Sequence, residues 1–414
     1  MKLRAISLAC LGFSSGLPYI LIFSTLGVWL RDIGIELTVI GFFAWIVLTY
    51  SFKFLWAPLV DNFSVPFFKR YGQRKSWIML TQLIIILSIF LLSTSNPLNN
   101  LVLFAFLAFL VAFAGSIQDI AIDAFRIEMA GIRDQGNLAA SYQFGYRIAI
   151  LIASSFALIF ASDYGWQTTY QLMAVLMVIG IIGVFICPEA LNKELKKLTF
   201  ENSLLVPTKD FVSRFGLYLG SLLLLIIATY RLTDIVMGPM ASPFYIDSGY
   251  TLKEIGYVVK VVAVIASICG FFIGGLLIKF IGVIRSLILG AFLVMLTNLC
   301  FSFVAISEKD LTLLGIVVGL DSLAAGVVGT ANITFLTSLV SKKYTAVQYA
   351  LLTSFMMLPG KIFSGFSGVI ADYFRVLYGN DYGWMSFFIL TSLLTIPCII
   401  LLQYYNKKFS LEDN

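Results

Sequence analysis

Long apolar runs separated by short polar turns fill the chain from end to end, and most of the runs are long enough to cross a bilayer as a helix. The pattern predicts twelve membrane-spanning helices. Six lie at 5–30, 37–60, 76–94, 100–125, 138–161 and 166–187, and six more at 213–245, 253–279, 284–305, 311–340, 346–371 and 383–404. The opening Met1-Lys2-Leu3-Arg4 imitates a secretory leader. The apolar run continues past Gly16 and Pro18 to Trp29, however, and this predicts a first span rather than a cleaved peptide.

The longest polar interval, 188–212, carries Glu189, Lys193, Glu194, Lys196, Lys197, Glu201, Lys209 and Asp210. It divides the chain into an N-terminal bundle at 1–187, a linker at 188–212, a C-terminal bundle at 213–404 and a tail at 405–414. Lysine and arginine are unevenly shared between the two sides. The termini and even-numbered turns hold nineteen, and the opposite turns hold four, namely Arg31, Lys253, Lys309 and Arg375. Both termini are therefore expected in the cytoplasm.

The halves are related. DIGIELTVIGF at 32–42 matches DSGYTLKEIGY at 247–257, with Asp32, Gly34, Leu37, Ile40 and Gly41 recurring as Asp247, Gly249, Leu252, Ile255 and Gly256. Both copies occupy the turn that enters the second span of their half. Two six-span halves entered from the same side form a parallel repeat, similar to the arrangement of the major facilitator superfamily, with a substrate site expected near mid-membrane between the halves. The turn between spans 2 and 3 resembles that superfamily's charged loop, and Asp61, Arg70 and Arg74 are candidate gating or latch residues; plain positive-inside charge is the competing reading.

Composition narrows the chemistry. Only 12% of residues are charged against 60% apolar, about half the charge of a soluble domain. The excess of 28 Lys and Arg over 22 Asp and Glu sits in turns, so it implies no nucleic acid partner. There is no histidine, which removes His-ligated metals, His-based triads and imidazole relays. Cys10, Cys187, Cys269, Cys300 and Cys398 are scattered in apolar segments without metal-binding spacing. No catalytic residue, metal or cofactor is expected. An integral-membrane enzyme would need a polar catalytic loop, and every outer turn is short. A channel would favour a symmetric, oligomeric pore; the asymmetric charges favour alternating access in a monomer.

Charges inside spans are costly and mark function by default. The acids Asp119, Asp123, Asp234 and Asp321 are the proton-coupling candidates, because carboxylates must carry any relay in a chain without histidine. Asp119 and Asp123 share a helix face at i and i+4. Asp119 lies at a depth similar to Arg147, so an ion pair between them competes with proton coupling, and Asp123 is expected to pair with Arg126. Arg231 and Asp234 are i and i+3 on span 7, with Lys260 and Asp321 at comparable depth, so mutual neutralisation competes with substrate binding there. Lys361 follows Pro359-Gly360 without a local partner in the sequence, and Lys53 is near enough to a span end to snorkel. Gly16 and Pro18 in span 1, and Gly238 and Pro239 in span 7, are expected helix breaks in corresponding helices. Trp45, Tyr50, Tyr142 and Tyr146 offer faces on which sugars can stack.

Several stretches closely resemble the AmpG-type muropeptide permeases of the major facilitator superfamily. They include GFSSGLPYILIFSTLGVWL at 12–30, IGFFAW at 40–45, FKFLWAPLVD at 52–61, SIQDIAIDAFRIEM at 116–129 and GYRIAIL at 145–151. Later ones are YRLTDIVMGPM at 230–240, GYTLKEIGYVVK at 249–260 and LDSLAAGVVGTANITFL at 320–336. The resemblance implies proton-dependent import of N-acetylglucosaminyl-anhydro-N-acetylmuramyl peptides across a bacterial inner membrane for peptidoglycan recycling and, in some bacteria, for β-lactamase induction. Such substrates are large and anionic. Arg147, Arg231, Lys260 and Lys361 could then meet carboxylates, and Gln118, Asn332, Trp45, Tyr50 and Tyr146 the sugars. Acetyl-CoA carriers are a distant related branch, and an anion of that or a nucleotide-like kind would use the same basic groups.

Overall fold

A computed structural model describes residues 2–129, 132–187, 200–341 and 345–409. Among these residues all regular structure is helical. Ten helices are long and apolar enough to cross a membrane. One of them, Ser141–Ile186, breaks at Gly165, and the shorter Leu37–Ser51 adds another, which gives the twelve expected.

We number the crossings in chain order. In the first half α1 is Lys2–Asp32, α2 is Leu37–Ser51, α3 is Gln73–Thr94, α4 is Leu101–Glu128, α5 is 132–164 and α6 is 166–186. In the second half α7 is 217–247, α8 is Leu252–Ile281, α9 is Val283–Ile306, α10 is Leu311–Leu339, α11 is 345–378 and α12 is Asn380–Phe409. The interval expected as a linker already contains helix from Phe200, which turns at Gly216 into α7.

The chain forms two compact units, Met1–Ile35 with Ile46–Lys197, and Glu36–Trp45 with Leu198–Asn414. The N-terminal end of α2, expected in the first bundle, therefore packs with the second unit. Its turns explain this. The Thr38 backbone N–H and hydroxyl both donate to Asp372 at 2.8 Å, the Trp45 indole N–H donates to the Ile362 carbonyl at 2.9 Å, and a Cβ at Gly41 would meet Gly365 and Gly368 backbone at 2.8–2.9 Å. From Ala44 on, the helix tightens into 3-10 turns at Ala44–Val47 and Lys53–Leu55.

Within each unit the sequence repeat has a structural counterpart. Trp166 Nε1 donates to Asp32 at 2.7 Å, and Trp384 Nε1 donates to Asp247 at 3.1 Å. Beside these bonds lie two aromatic clusters, Trp29 with Trp166 and Tyr170 in the first unit, Phe244 with Trp384 and Phe388 in the second. Trp29 and Phe244 stand 215 residues apart, the offset of the repeat itself. At the opposite ends of the helices, Gly72 and Gly282 take left-handed φ of 92° and 82° just before α3 and α9.

Helix pairs approach closely where side chains are absent. In the second unit α8 and α10 cross at Gly270 and Gly326. A Cβ on Gly326 would collide with the Ser267 carbonyl oxygen and lie 2.8 Å from Gly270 Cα, whereas one on Gly275 would meet nothing within 4 Å. Backbone atoms cannot swing aside as side chains do. Gly326→Ala should therefore lower stability by about 1–3 kcal/mol. Gly275→Ala should be neutral or gain up to about 1 kcal/mol from helix propensity. Thermal unfolding in detergent checks the pair, and equal midpoints would contradict the crossing.

Candidate functional site

In the first unit the site begins with a missing hydrogen bond. Pro18 has no N–H, so the Ser14 carbonyl one turn earlier loses its helical donor. Gln118 of α4 supplies one, its Nε2 lying 2.9 Å from that oxygen. Gln82 Nε2 of α3 reaches the Ser14 hydroxyl at 3.2 Å. The side chain of Gln118 is thus fully buried, its Nε2 in a helix–helix bond and its Oε1 without a partner among the described residues. Helix α1 is not broken at Gly16 or Pro18. A Cβ at Gly16 would come within 2.9 Å of the Tyr146 carbonyl, so this glycine serves close packing on α5. The irregularity falls one turn later, as a π-turn at Leu21–Thr25 that faces a second π-turn at Ile152–Phe156, with the Thr25 hydroxyl donating to the Ala153 carbonyl.

The bond through Gln118 places the next residue, Asp119, against α1. Its carboxylate accepts from the Ser15 hydroxyl, and Ser15 Oγ lies 2.8 Å from Tyr142 Oη. Tyr19 and Tyr50 meet edge to face at 5.1 Å, and the Tyr142 and Tyr146 rings lie 6.2 Å apart. The Tyr50 hydroxyl is buried, with no hydrogen-bond partner among the described residues. The charges acting on Asp119 are those of Lys53 and Asp123. Four helices therefore contribute to one polar cage, with Ser15 and Tyr19 from α1, Asp119 from α4, Tyr142 and Tyr146 from α5, and Tyr50 from α2. Ser15 and Tyr19 were missed in the sequence, although their i and i+4 spacing beside Pro18 was there to be read.

Other expected residues fall elsewhere. Arg147 is exposed and makes no ion pair with Asp119 among the described residues. Tyr142, Gly145 and Ala149 carry the α5 face toward α1, and Arg147 stands about 100° or more off that line. Asp123 pairs with Arg126 at 3.3 Å. Trp45 is held by Ile362 and lies against Phe366 in the second unit. Arg74 is held by Glu128 at 2.8 Å and by the Val60 carbonyl at 3.1 Å, and Arg70 donates to the Tyr71 hydroxyl at 2.8 Å. The side chain of Asp61 lies outside the described residues.

The second unit gathers a separate set of charges. Arg231 and Asp234 form an ion pair of 3.2 Å. Asp321 accepts from the Thr297 hydroxyl at 2.8 Å and has Asp234 as its charged neighbour. Lys260 ends a π-turn, Ile255–Lys260, half-buried. Lys361, expected to lack a local partner, is buried and engaged in an interaction. The Asn332 amide lies 2.9 Å from Met356 Sδ, so it faces α11 within the bundle instead of solvent. The break in α7 falls at Arg231, with φ −104° and ψ 7°, and Gly238 and Pro239 lie in continuous helix beyond it. Burial of Pro239, Met240 and Pro243 and the contact of Ile235 with Gly360 hold that proline-bearing segment helical.

The sequence profile of the Major Facilitator Superfamily matches residues 8–364. Relatives at 30% identity or more run nearly the full length of the chain and carry AmpG names. The chain belongs to the AmpG group of that superfamily. A Rickettsia conorii protein named AmpG 4 is 35% identical over 98% of this chain and 97% of its own length. The anhydromuropeptide permease of Escherichia coli is 32% identical over 96% of this chain and 79% of its own. Among solved structures, nucleoside transporter NupG aligns with TM-score 0.74 at 12% identity, covering 98% of this chain and 99% of that one. A D-xylose-proton symporter aligns with TM-score 0.70 at 10% identity over 95% and 96%. These two carry the fold alone. The protein is thus a multi-pass membrane transporter.

Two substitutions in the cage should behave oppositely. Ser15→Ala removes the donor to a buried carboxylate and should lower stability by about 1–3 kcal/mol. Tyr50→Phe removes a hydroxyl that bonds nothing described and should change stability by less than about 1 kcal/mol. Thermal unfolding of the purified variants separates them.

Proposed function

We propose that this transporter imports anhydro-muropeptides by proton symport with alternating access, working as a monomer in a bacterial inner membrane with both termini in the cytoplasm. The orientation rests on the nineteen-to-four division of lysine and arginine. The substrate class rests on the relatives, one of which bears the name anhydromuropeptide permease.

The observation that carries the chemistry is the Asp119 carboxylate, bonded to the Ser15 hydroxyl within a cage of four tyrosines. Tyrosine faces suit the apolar faces of sugar rings, and the buried Tyr50 hydroxyl, unpartnered among the described residues, would bond a polar solute admitted to the cage. A hydroxyl partner serves a proton carrier better than a cation does. Ser15 can donate to the ionised carboxylate and accept from the protonated acid, whereas a guanidinium pairs only with the ionised form. Asp119 is thus the leading proton carrier, and Asp321, bonded to Thr297, is the corresponding candidate in the second unit. Asp123 and Asp234, paired with Arg126 and Arg231, have structural roles. Lys260 and Lys361 are candidates for meeting substrate carboxylates.

Uptake into proteoliposomes of labelled anhydro-disaccharide peptide tests this. An inward proton gradient should drive accumulation that a protonophore collapses. Asp119→Asn should reduce gradient-driven uptake at least tenfold while sparing counterflow exchange of substrate. Tyr50→Phe should raise the half-saturating concentration several-fold. Absence of uptake by folded, correctly oriented protein would overturn the muropeptide assignment, and undiminished uptake by Asp119→Asn would overturn the role of Asp119.

A further inference from the structure

Outside the cage and the charge cluster, a groove opens in the second unit between α9 and α12. It has a volume of about 260 Å³ and is lined by Arg285, Ile288, Leu289 and Phe292 of α9 and by Ile399 and Gln403 of α12. On α9 the four stand at i, i+3, i+4 and i+7, a single helix face. On α12 the two are i and i+4. Polar residues occupy one end of the groove on both walls, and only apolar ones follow over about 10 Å of depth. The polar end lies toward the helix ends, beside the Gly282 turn and in the C-terminal part of α12.

Neither Arg285 nor Gln403 has a side-chain hydrogen bond or ion pair among the described residues. In the sequence Lys279 precedes Arg285 by six residues, Lys407 and Lys408 follow Gln403 by four and five, and no acid occurs in 279–306 or 384–409. The first half of the repeat shows the contrast. Gly72 and Gly282 correspond, so Lys75 is the counterpart of Arg285. Lys75 turns inward, donating to the Cys187 carbonyl at the end of α6 at 2.8 Å. In the second half the equivalent cation has no such acceptor and faces a groove.

We propose that this groove is a binding site for one anionic phospholipid, whose phosphate meets Arg285 and Gln403 and whose acyl chain lies along Ile288, Leu289, Phe292 and Ile399. The gradient from cation and amide to hydrocarbon matches a phospholipid read from headgroup to tail. Arg285, a cation without an acidic partner among the described residues, favours a net negative headgroup.

Full-length protein purified in detergent and stripped of lipid is titrated with phosphatidylglycerol, with phosphatidylcholine of the same chains, and with inorganic phosphate, reading the thermal midpoint. Phosphatidylglycerol should stabilise clearly more than phosphatidylcholine, and phosphate should do nothing at equal concentration. Arg285→Gln should weaken the phosphatidylglycerol effect about fivefold. Leu289→Trp, which fills the groove and keeps the charge, should weaken it as well. Lys69→Gln, an exposed cation of the first unit, should leave it intact. Because Arg285 is exposed, its variant is expected to fold, and native mass spectrometry of that variant should show one retained anionic lipid fewer than wild type. Equal stabilisation by the two lipids, an effect reproduced by phosphate, or an unchanged lipid count in Arg285→Gln would each overturn the assignment.

Discussion

In a hydrocarbon solvent a backbone group that loses its helical partner must find another inside the protein. Pro18 creates such a vacancy at the Ser14 carbonyl, and Gln118 fills it. That single bond sets the rotation and height of α4 against α1, because a side-chain amide can reach a backbone oxygen from very few positions. Asp119 follows Gln118 in sequence as Ser15 follows Ser14, so the bond that satisfies the backbone also brings carboxylate to hydroxyl. Gln82 ties α3 to the same serine. A proline that looks like a local weakness in α1 is therefore the anchor on which three helices are aligned.

Duplication supplied the frame, and divergence supplied the chemistry. The bonds Asp32–Trp166 and Asp247–Trp384, with their aromatic neighbours, recur in both units because each holds the turn into a second helix to the start of a sixth. The polar interior does not recur. The first unit surrounds its acid with tyrosines, while the second places an arginine–aspartate pair at the break in α7. Interior charge is costly wherever it sits, so a position retains it only where a partner or a task keeps it there.

Hydropathy gave the twelve crossings, and the repeat at 32–42 and 247–257 gave their grouping, since both depend on composition along the chain. Contacts between helices were less legible. Depth can be counted in residues, and by depth Arg147 faces Asp119. Rotation about the helix axis depends on which residues pack, and the small face of Gly145 and Ala149 turns Arg147 away. Local pairs fared better. Asp123 with Arg126 and Arg231 with Asp234 are three residues apart on one helix, and their spacing alone puts them within reach. The surroundings of Trp45 were illegible for another reason. Helix α2 is continuous in the hydropathy pattern, and nothing in that pattern reveals that Glu36–Trp45 belongs with the second unit through Thr38 and Asp372.

The partner of each acid sorts the four by what protonation would do to it. An aspartate held by a guanidinium would, on taking a proton, leave a buried cation without compensation, and the pair resists the change. Asp234 is bound to Arg231 in this way. Asp119 and Asp321 are held by hydroxyls, which reverse from donor to acceptor at no cost in charge. Sequence could not draw this distinction, because Ser15 and Thr297 are ordinary residues of apolar helices until the packing brings them to a carboxylate. The intramembrane acids are visible from the sequence, but which neighbour each one meets is decided by the packing.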